Sequence, residues 1–115
     1  MNDELIVQLI DLPNTYIGEA PPEHDTCQWV KLSSGTSKIF FGRKIIDKPE
    51  YVVYVRDSGN KSAYDTAQAC FKKLQLWNDE HRSLIITRNP SYVGRDEKHR
   101  CVYSFRIQFI TGGNN

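Results

Sequence analysis

The longest alternation of apolar and polar residues lies near the carboxyl end of the chain. Every second residue from Cys101 to Phe109 is apolar, and most of the residues between them are polar or charged. Because successive side chains of a strand point to opposite faces, this segment predicts a β-strand with one core-facing side. The apolar side contains Cys101, Tyr103, Phe105, Ile107 and Phe109, and the wetter side includes Arg100, Ser104, Arg106 and Gln108.

A second period, of three to four residues, predicts a helix that can cover this apolar side. The pattern extends from Ala63 to about Trp77. At its start, Ser62 and Asp65 have the spacing of a capping box, which places the first turn of the helix there. The apolar positions of the helix are Ala63, Tyr64, Ala67, Cys70, Phe71, Leu74 and Trp77.

Shorter patterned segments complete the predicted fold. Asp3–Ile10 predicts a short helix, and Tyr51–Arg56, which is apolar on both sides, predicts the central strand of a sheet. The fold class is therefore α+β, with a mostly antiparallel sheet and both helices packed on one face. Further strands are predicted at Thr15–Ile17, Cys27–Leu32, Ile39–Phe41 and Ser83–Thr87, with turns at Ser33–Thr36 and at Asn89-Pro90.

The length of the chain, 115 residues, supports one core. We assign residues 1–110 to a single domain and residues 111–115, TGGNN, to a flexible C-terminal tail. No apolar run is long enough for a membrane span, and the N-terminus has no basic leader. These features predict a protein that works in the cytosol where it is made, without a membrane partner.

The overall charge gives no general attraction for nucleic acid. Fifteen basic and fourteen acidic residues leave a formal charge of +1. The segment from Phe40 to Lys44 mixes aromatic and basic residues, but it does not match the RNA-recognition pattern. One hypothesis is therefore a small monomeric module that binds nucleic acid, in a salt-dependent way, through a local basic patch. This patch would contain Arg43, Lys44, Arg95 and Lys98.

No catalytic, cofactor-binding or metal site is predicted. The three cysteines Cys27, Cys70 and Cys101 lie inside patterned segments and are expected to be reduced core thiols. His24 and His99 each have a cysteine nearby, but the chain has neither C-x-x-C nor H-E-x-x-H. A cysteine enzyme is a weaker hypothesis, and it requires one thiol that is far more reactive than the others.

A charged stretch lies just before the last strand. Asp96 and Glu97 are flanked by Arg95 and Lys98. We interpret these residues as a solvated charged loop at the entrance of a strand, since an acidic catalytic pair would need further groups around it.

Five segments carry a resemblance to a known family. Tyr92–Lys98 (YVGRDEK) and Tyr103–Ile107 (YSFRI) follow a helix that contains Ala63–Ala67 (AYDTA). Nearer the start, Ile17–Pro21 (IGEAP) and Lys48–Val55 (KPEYVVYV) stand where the family has a G-E-x-P loop and its central strand. In kind and order, these motifs resemble the tail terminator or "minor capsid" family of long-tailed bacteriophages.

The resemblance implies a structural role and no enzymatic activity. Members of the family are expected to form a homo-hexameric ring that caps the tail tube, ends its polymerisation and joins it to the head connector or head completion protein. DNA would pass through the ring without sequence-specific contact, and the protein would be found in the virion, and in the host cytoplasm during assembly. The resemblance places Tyr92–Lys98 in a loop of the ring. The interface residues expected on this basis are Tyr92, Arg95, Asp96, Glu97, Lys98, Arg43 and Lys44.

Overall fold

The computed structural model describes residues 2–34, 37–40, 43–47, 49–75, 77–80 and 82–111. Two helices and seven strands are found there. In chain order they are α1 (Asn2–Ile10), β1 (Thr15–Ile17), β2 (Cys27–Ser34), β3 (Ser37–Phe40), β4 (Arg43–Asp47), β5 (Glu50–Asp57), α2 (Asn60–Leu74), β6 (Arg82–Arg95) and β7 (Cys101–Thr111).

A five-stranded sheet dominates the fold, which confirms the mixed α+β class. Its strand order is β1-β2-β5-β7-β6, and β3 and β4 form a separate two-stranded sheet. Every pair in the larger sheet is antiparallel except β1 and β2, which are parallel. The strand predicted at Tyr51–Arg56 forms most of β5, which is the middle strand of the sheet.

The alternating residues of β7 share one interior with α2. Phe105 is fully buried, and its ring meets Phe71 of the helix edge to face, with the ring centroids 5.9 Å apart. Removing so much aromatic surface from water is the main stabilising contribution here. The buried cluster joins Cys101, Tyr103, Phe105, Ile107 and Phe109 with Ala63, Ala67, Cys70 and Leu74.

The capping box predicted at the start of α2 is wrong. The N-cap is Gly59, without a side-chain hydrogen bond, and Ser62 lies inside the helix. A tertiary contact instead holds the first turn, because the Tyr103 hydroxyl donates to Asn60 Oδ1 over 2.7 Å. Asp65 instead pairs with Lys61 at the surface.

The predicted C-terminal end of α2 is also too late. The helix ends at Leu74, and Gln75, its C-cap, has an extended backbone. Trp77 lies beyond the helix but still packs edge to face on Phe109, with the ring centroids 6.1 Å apart. The apolar residue Trp77 in the sequence pattern therefore marks a contact with the core and not a further turn of the helix.

Strand β6 is much longer than predicted, and the turn predicted at Asn89-Pro90 is wrong. The strand extends from Arg82 to Arg95 through the proline, with register shifts on both sides of Pro90. Proline is tolerated in β6 because it is an edge strand and because bulges relax its pairing with β7. As a result, Tyr92–Arg95 belong to a strand and only the residues that follow form a turn.

Some predicted features fall partly outside the described residues. Strand β2 continues to Ser34, whereas Gly35 and Thr36 of the predicted turn lie outside, as does Phe41 of the third predicted strand. Strand β7 ends at Thr111, and the rest of the predicted tail, 112–115, is also outside. In the part that the structure describes, neither helix is long and apolar enough to cross a membrane.

Replacing Phe105 with alanine should lower the free energy of unfolding by about 3–5 kcal/mol, because it leaves a cavity between β7 and α2. Urea unfolding followed by circular dichroism measures this loss. The matched control is Val93→Ala, at a side chain that is 56% exposed, where the change should stay within about 0.5 kcal/mol. A similar small loss for Phe105→Ala would contradict the shared interior.

Candidate functional site

Two buried arginines lie where the end of β5 meets the start of β7. Arg56 is 7% exposed and Arg100 is 5% exposed. The turn 96–100 joins β6 to β7 at this end of the sheet, and the loop between β1 and β2 passes over it. Charged side chains are seldom so buried unless hydrogen bonds or opposite charges offset the loss of hydration. The contacts of the two arginines therefore show what this end of the sheet can bind.

The side chain of Arg56 binds backbone carbonyl groups of the loop between β1 and β2. Its Nη2 donates to the carbonyl oxygens of Pro21 and His24, over 2.7 and 2.6 Å. Its guanidinium also lies 5.5 Å from the centre of the Trp29 ring, a cation–π arrangement. The loop is thereby attached to the central strand.

Arg100 binds the same loop from β7. Its Nη1 donates to the carbonyl oxygens of Pro22 and His24, over 2.9 and 2.8 Å, and lies 3.4 Å from Asp25 Oδ1. Its Nε donates to Asp96 Oδ2 over 2.8 Å. We call Arg56, Arg100 and Asp96 the arginine clamp.

Asp96 is the central anion of the clamp and its side chain is only 22% exposed, whereas Glu97 and Lys98 of the same turn are exposed, as expected for a charged turn at a strand entrance. Oδ1 of Asp96 accepts hydrogen bonds from the backbone N–H groups of Lys98 and Arg100. Burial acts to raise the pKa of Asp96, but these hydrogen bonds, the one from the Arg100 side chain and the Arg100 charge together hold this pKa below its ordinary value. The carboxylate is therefore ionised at neutral pH.

The placement of Arg100 on a wet side of β7 is wrong. The turn before β7 folds back, with His99 at a positive φ of 62°, and this brings the side chain of Arg100 under the loop. Sequence reasoning missed Arg56 as well. A signal was present, because a charged residue directly follows the apolar run of the central strand.

A cavity of about 220 Å³ opens beside the clamp. Three cationic and two acidic side chains surround it, together with one proline of the loop. The lining residues are Pro22, Arg56, Asp96, Glu97, Lys98 and Arg100.

The structure brings some of the predicted interface residues together. Tyr92 is 51% exposed and touches Tyr103 edge to face, near the turn that contains Glu97. Arg95 and Lys98 lie at the same end of the sheet. Arg95 donates to the carbonyl oxygen of His99, and Lys98 donates to that of Pro22.

Arg43 and Lys44 come from another part of the fold. They are the first residues of β4, and β4 leads into the Glu50 end of β5. Arg95 pairs with Cys101, which pairs with Asp57 at the other end of β5.

The three cysteines are free and buried. Burial raises the pKa of Cys70 to about 11 and also raises that of Cys27, so both thiols are protonated at neutral pH. Within the described ranges, no group of three or more His, Cys, Asp or Glu side chains is arranged to hold a metal ion.

Comparison with known families decides which family the chain belongs to. A family profile described as "Bacteriophage tail terminator protein" matches residues 6–111, nearly the whole chain. The chain belongs to the bacteriophage tail terminator family. The resemblance found in the sequence is thus confirmed, and with it the assignment to structural proteins of the phage tail and virion.

The fold of this tail terminator family member is shared by a chain of a solved structure, "Virion of native gene transfer agent (GTA) particle". The two chains superpose with a TM-score of 0.60 and are 16% identical in sequence. The alignment covers 96% of the present chain and 87% of the other. Comparison with curated protein sequences gives no significant match.

Replacing Asp96 with asparagine should lower the free energy of unfolding at pH 7 by about 2 kcal/mol, since two buried arginines lose their nearest carboxylate. Chemical denaturation of both proteins measures this difference. The matched control, Asp65→Asn, removes a surface ion pair whose aspartate is 57% exposed, and it should cost no more than about 0.5 kcal/mol.

The effect of Asp96→Asn should also depend on pH. Because the pKa of Asp96 is lower in the folded chain, its contribution is complete above the ordinary value of 3.8 and is lost as the pH falls through the folded-state pKa. The two proteins should therefore become similar in stability in strong acid. A difference that is constant from pH 7 into strong acid would contradict this role.

All three thiols should react slowly with a thiol reagent such as Ellman's reagent in the native protein, because all three are buried, and burial also raises the pKa of Cys27 and Cys70. In urea, all three should react quickly. A single thiol that reacts within seconds in the folded chain would contradict this prediction and would support the cysteine-enzyme hypothesis.

Proposed function

We propose that this chain forms a homo-hexameric ring on the end of the tail tube, where it stops polymerisation and joins the tube to the head connector or head completion protein. Membership of the tail terminator family over residues 6–111 carries this proposal. In this proposal, assembly takes place in the host cytoplasm, and DNA passes through the ring without sequence-specific contact. The chain acts as one domain, in which Thr111, assigned to the tail from the sequence, is the last residue of β7 and pairs with Arg82.

The two edges of the sheet support a ring because they differ from each other. On one edge, β1 pairs only with Gln28–Val30, so β2 continues beyond it and exposes 61% of Leu32. On the other edge, β6 exposes Tyr92 and Val93. A contact between two unlike edges is heterologous, and such contacts close into rings when the rotation allows it.

The shape of β6 favours contact through side chains. Its register shifts and Pro90 interrupt a regular backbone ladder, whereas Tyr92 and Val93 remain more than half exposed. We therefore place the interface around these residues and the adjacent turn, with Arg95, Glu97 and Lys98 at its rim and with Asp96 holding the turn in position. Arg43 and Lys44 belong to a separate contact. Both helices lie on one face of the sheet in this arrangement.

Replacing Val93 with aspartate should abolish control of tube length, because a charge then lies in the subunit contact. The test polymerises the tail tube protein of the parent phage with and without this chain and measures tube lengths by electron microscopy. The native chain should shorten the tubes and leave a sixfold ring at one end. With Val93→Asp, the tubes should be as long as without the chain.

The matched control is Ala69→Asp, at an exposed position of α2 away from the sheet edges, which should retain length control. Equal activity of both variants would remove β6 from the interface. Tubes of unchanged length with the native chain would contradict the function itself.

A further inference from the structure

One buried nitrogen of the arginine clamp has no hydrogen-bond partner in the part of the chain that the structure describes. Nε of Arg56 is buried, and the described residues offer it no hydrogen bond. The closest carboxylate oxygen, Oδ2 of Asp96, is 3.9 Å away, which is too far for a hydrogen bond. An unpaired buried donor on a charged group is unfavourable, so an additional acceptor at this point would stabilise the fold.

The second arginine leaves donor capacity as well. Among the described residues, the hydrogen bonds of Arg100 come from its backbone N–H, Nε and Nη1. These residues leave Nη2 without an acceptor, and Arg100 lines the cavity. Lys98 adds an exposed ammonium group to the same cavity. Three cations therefore face a space that Asp96 and Glu97 neutralise only in part.

We propose that this cavity binds the carboxylate of an acidic side chain from a neighbouring protein of the virion. A planar carboxylate matches the donor fork of a guanidinium and binds it by short, charge-assisted hydrogen bonds. The volume of about 220 Å³ accommodates one such group.

The surroundings favour a single carboxylate over a nucleic-acid backbone. Glu97 and Asp96 lie at the cavity, and they would repel the successive phosphates of a DNA strand. The net charge of +1 also gives the chain no long-range attraction for DNA.

The identity of the neighbour as a virion protein rests on the proposed function, but binding of a free carboxylate does not. The two can therefore fail separately. If acetate binds and tube length is not controlled, the cavity is real and its source of carboxylate lies elsewhere.

The experiment follows the Nε–Hε signals of the arginines in the ¹⁵N-labelled full chain by NMR. Sodium acetate is added at constant ionic strength, with sodium chloride as the reference. The Arg56 signal should shift in a saturable way with acetate and not with chloride. The signal of Arg106, which is more exposed and far from the cavity, should follow ionic strength alone and serves as the internal control.

Two variants assign the effect to the cavity. Arg56→Lys removes Nε and should weaken acetate binding by about tenfold or more. Lys98→Met, at an exposed position, should weaken it by about two- to fivefold without affecting folding. If Arg56→Lys does not fold, Lys98→Met alone still tests the proposal, and unchanged acetate affinity in that variant would overturn it.

Two further arms identify the source. A short peptide with a central aspartate and with both termini blocked, by acetylation and amidation, should bind, and its asparagine counterpart should not. Inorganic phosphate and a single-stranded oligonucleotide should bind more weakly than acetate. If the oligonucleotide binds more tightly, the cavity is a DNA contact and the proposal is wrong. If acetate shifts the Arg56 signal no more than chloride does, the cavity holds only solvent and the proposal is also wrong.

Discussion

The packing of the aromatic side of β7 against α2 is the constraint on which the rest of the structure depends. Phe105 and Phe109 are almost completely buried and meet Phe71 and Trp77 edge to face. A chain of this length has one core, and this contact occupies its centre. With the core placed there, β5 becomes the middle strand, and the two outer edges of the sheet remain for the subunit contacts that we propose.

The arginine clamp depends on the same arrangement. Because β5 and β7 are paired, Arg56 lies opposite Val102. Arg100 is the last residue of the turn before β7 and is therefore close to Arg56. The two side chains then meet under the loop 21–25 and hold its carbonyl oxygens. Pairing in the sheet thus creates a buried cationic centre at one end of the sheet, next to the residues proposed for the subunit interface.

The parts of the fold that could be predicted from sequence are those set by local periodicity. The alternation from Cys101 to Phe109 matches the buried side of β7, and the helical spacing matches the buried residues Ala63, Ala67, Cys70 and Leu74 of α2, although the end predicted near Trp77 was too late. The capping box at Ser62 and the turn at Asn89-Pro90 failed because tertiary contacts overrode local signals. Tyr103 holds the first turn of α2, and the edge position of β6 accommodates Pro90. The clamp was missed since its partners, Arg56 and Asp96, are 40 positions apart in the sequence.

Hydrogen–deuterium exchange of the free chain and of the chain assembled on the tail tube tests the central claim most directly. The account predicts that amides of β7 and α2 are protected in both states. It also predicts that amides around Leu32 and Val93, at the two sheet edges, gain protection only on the tube. Fast exchange throughout α2 in the free chain, or new protection confined to the core, would contradict it.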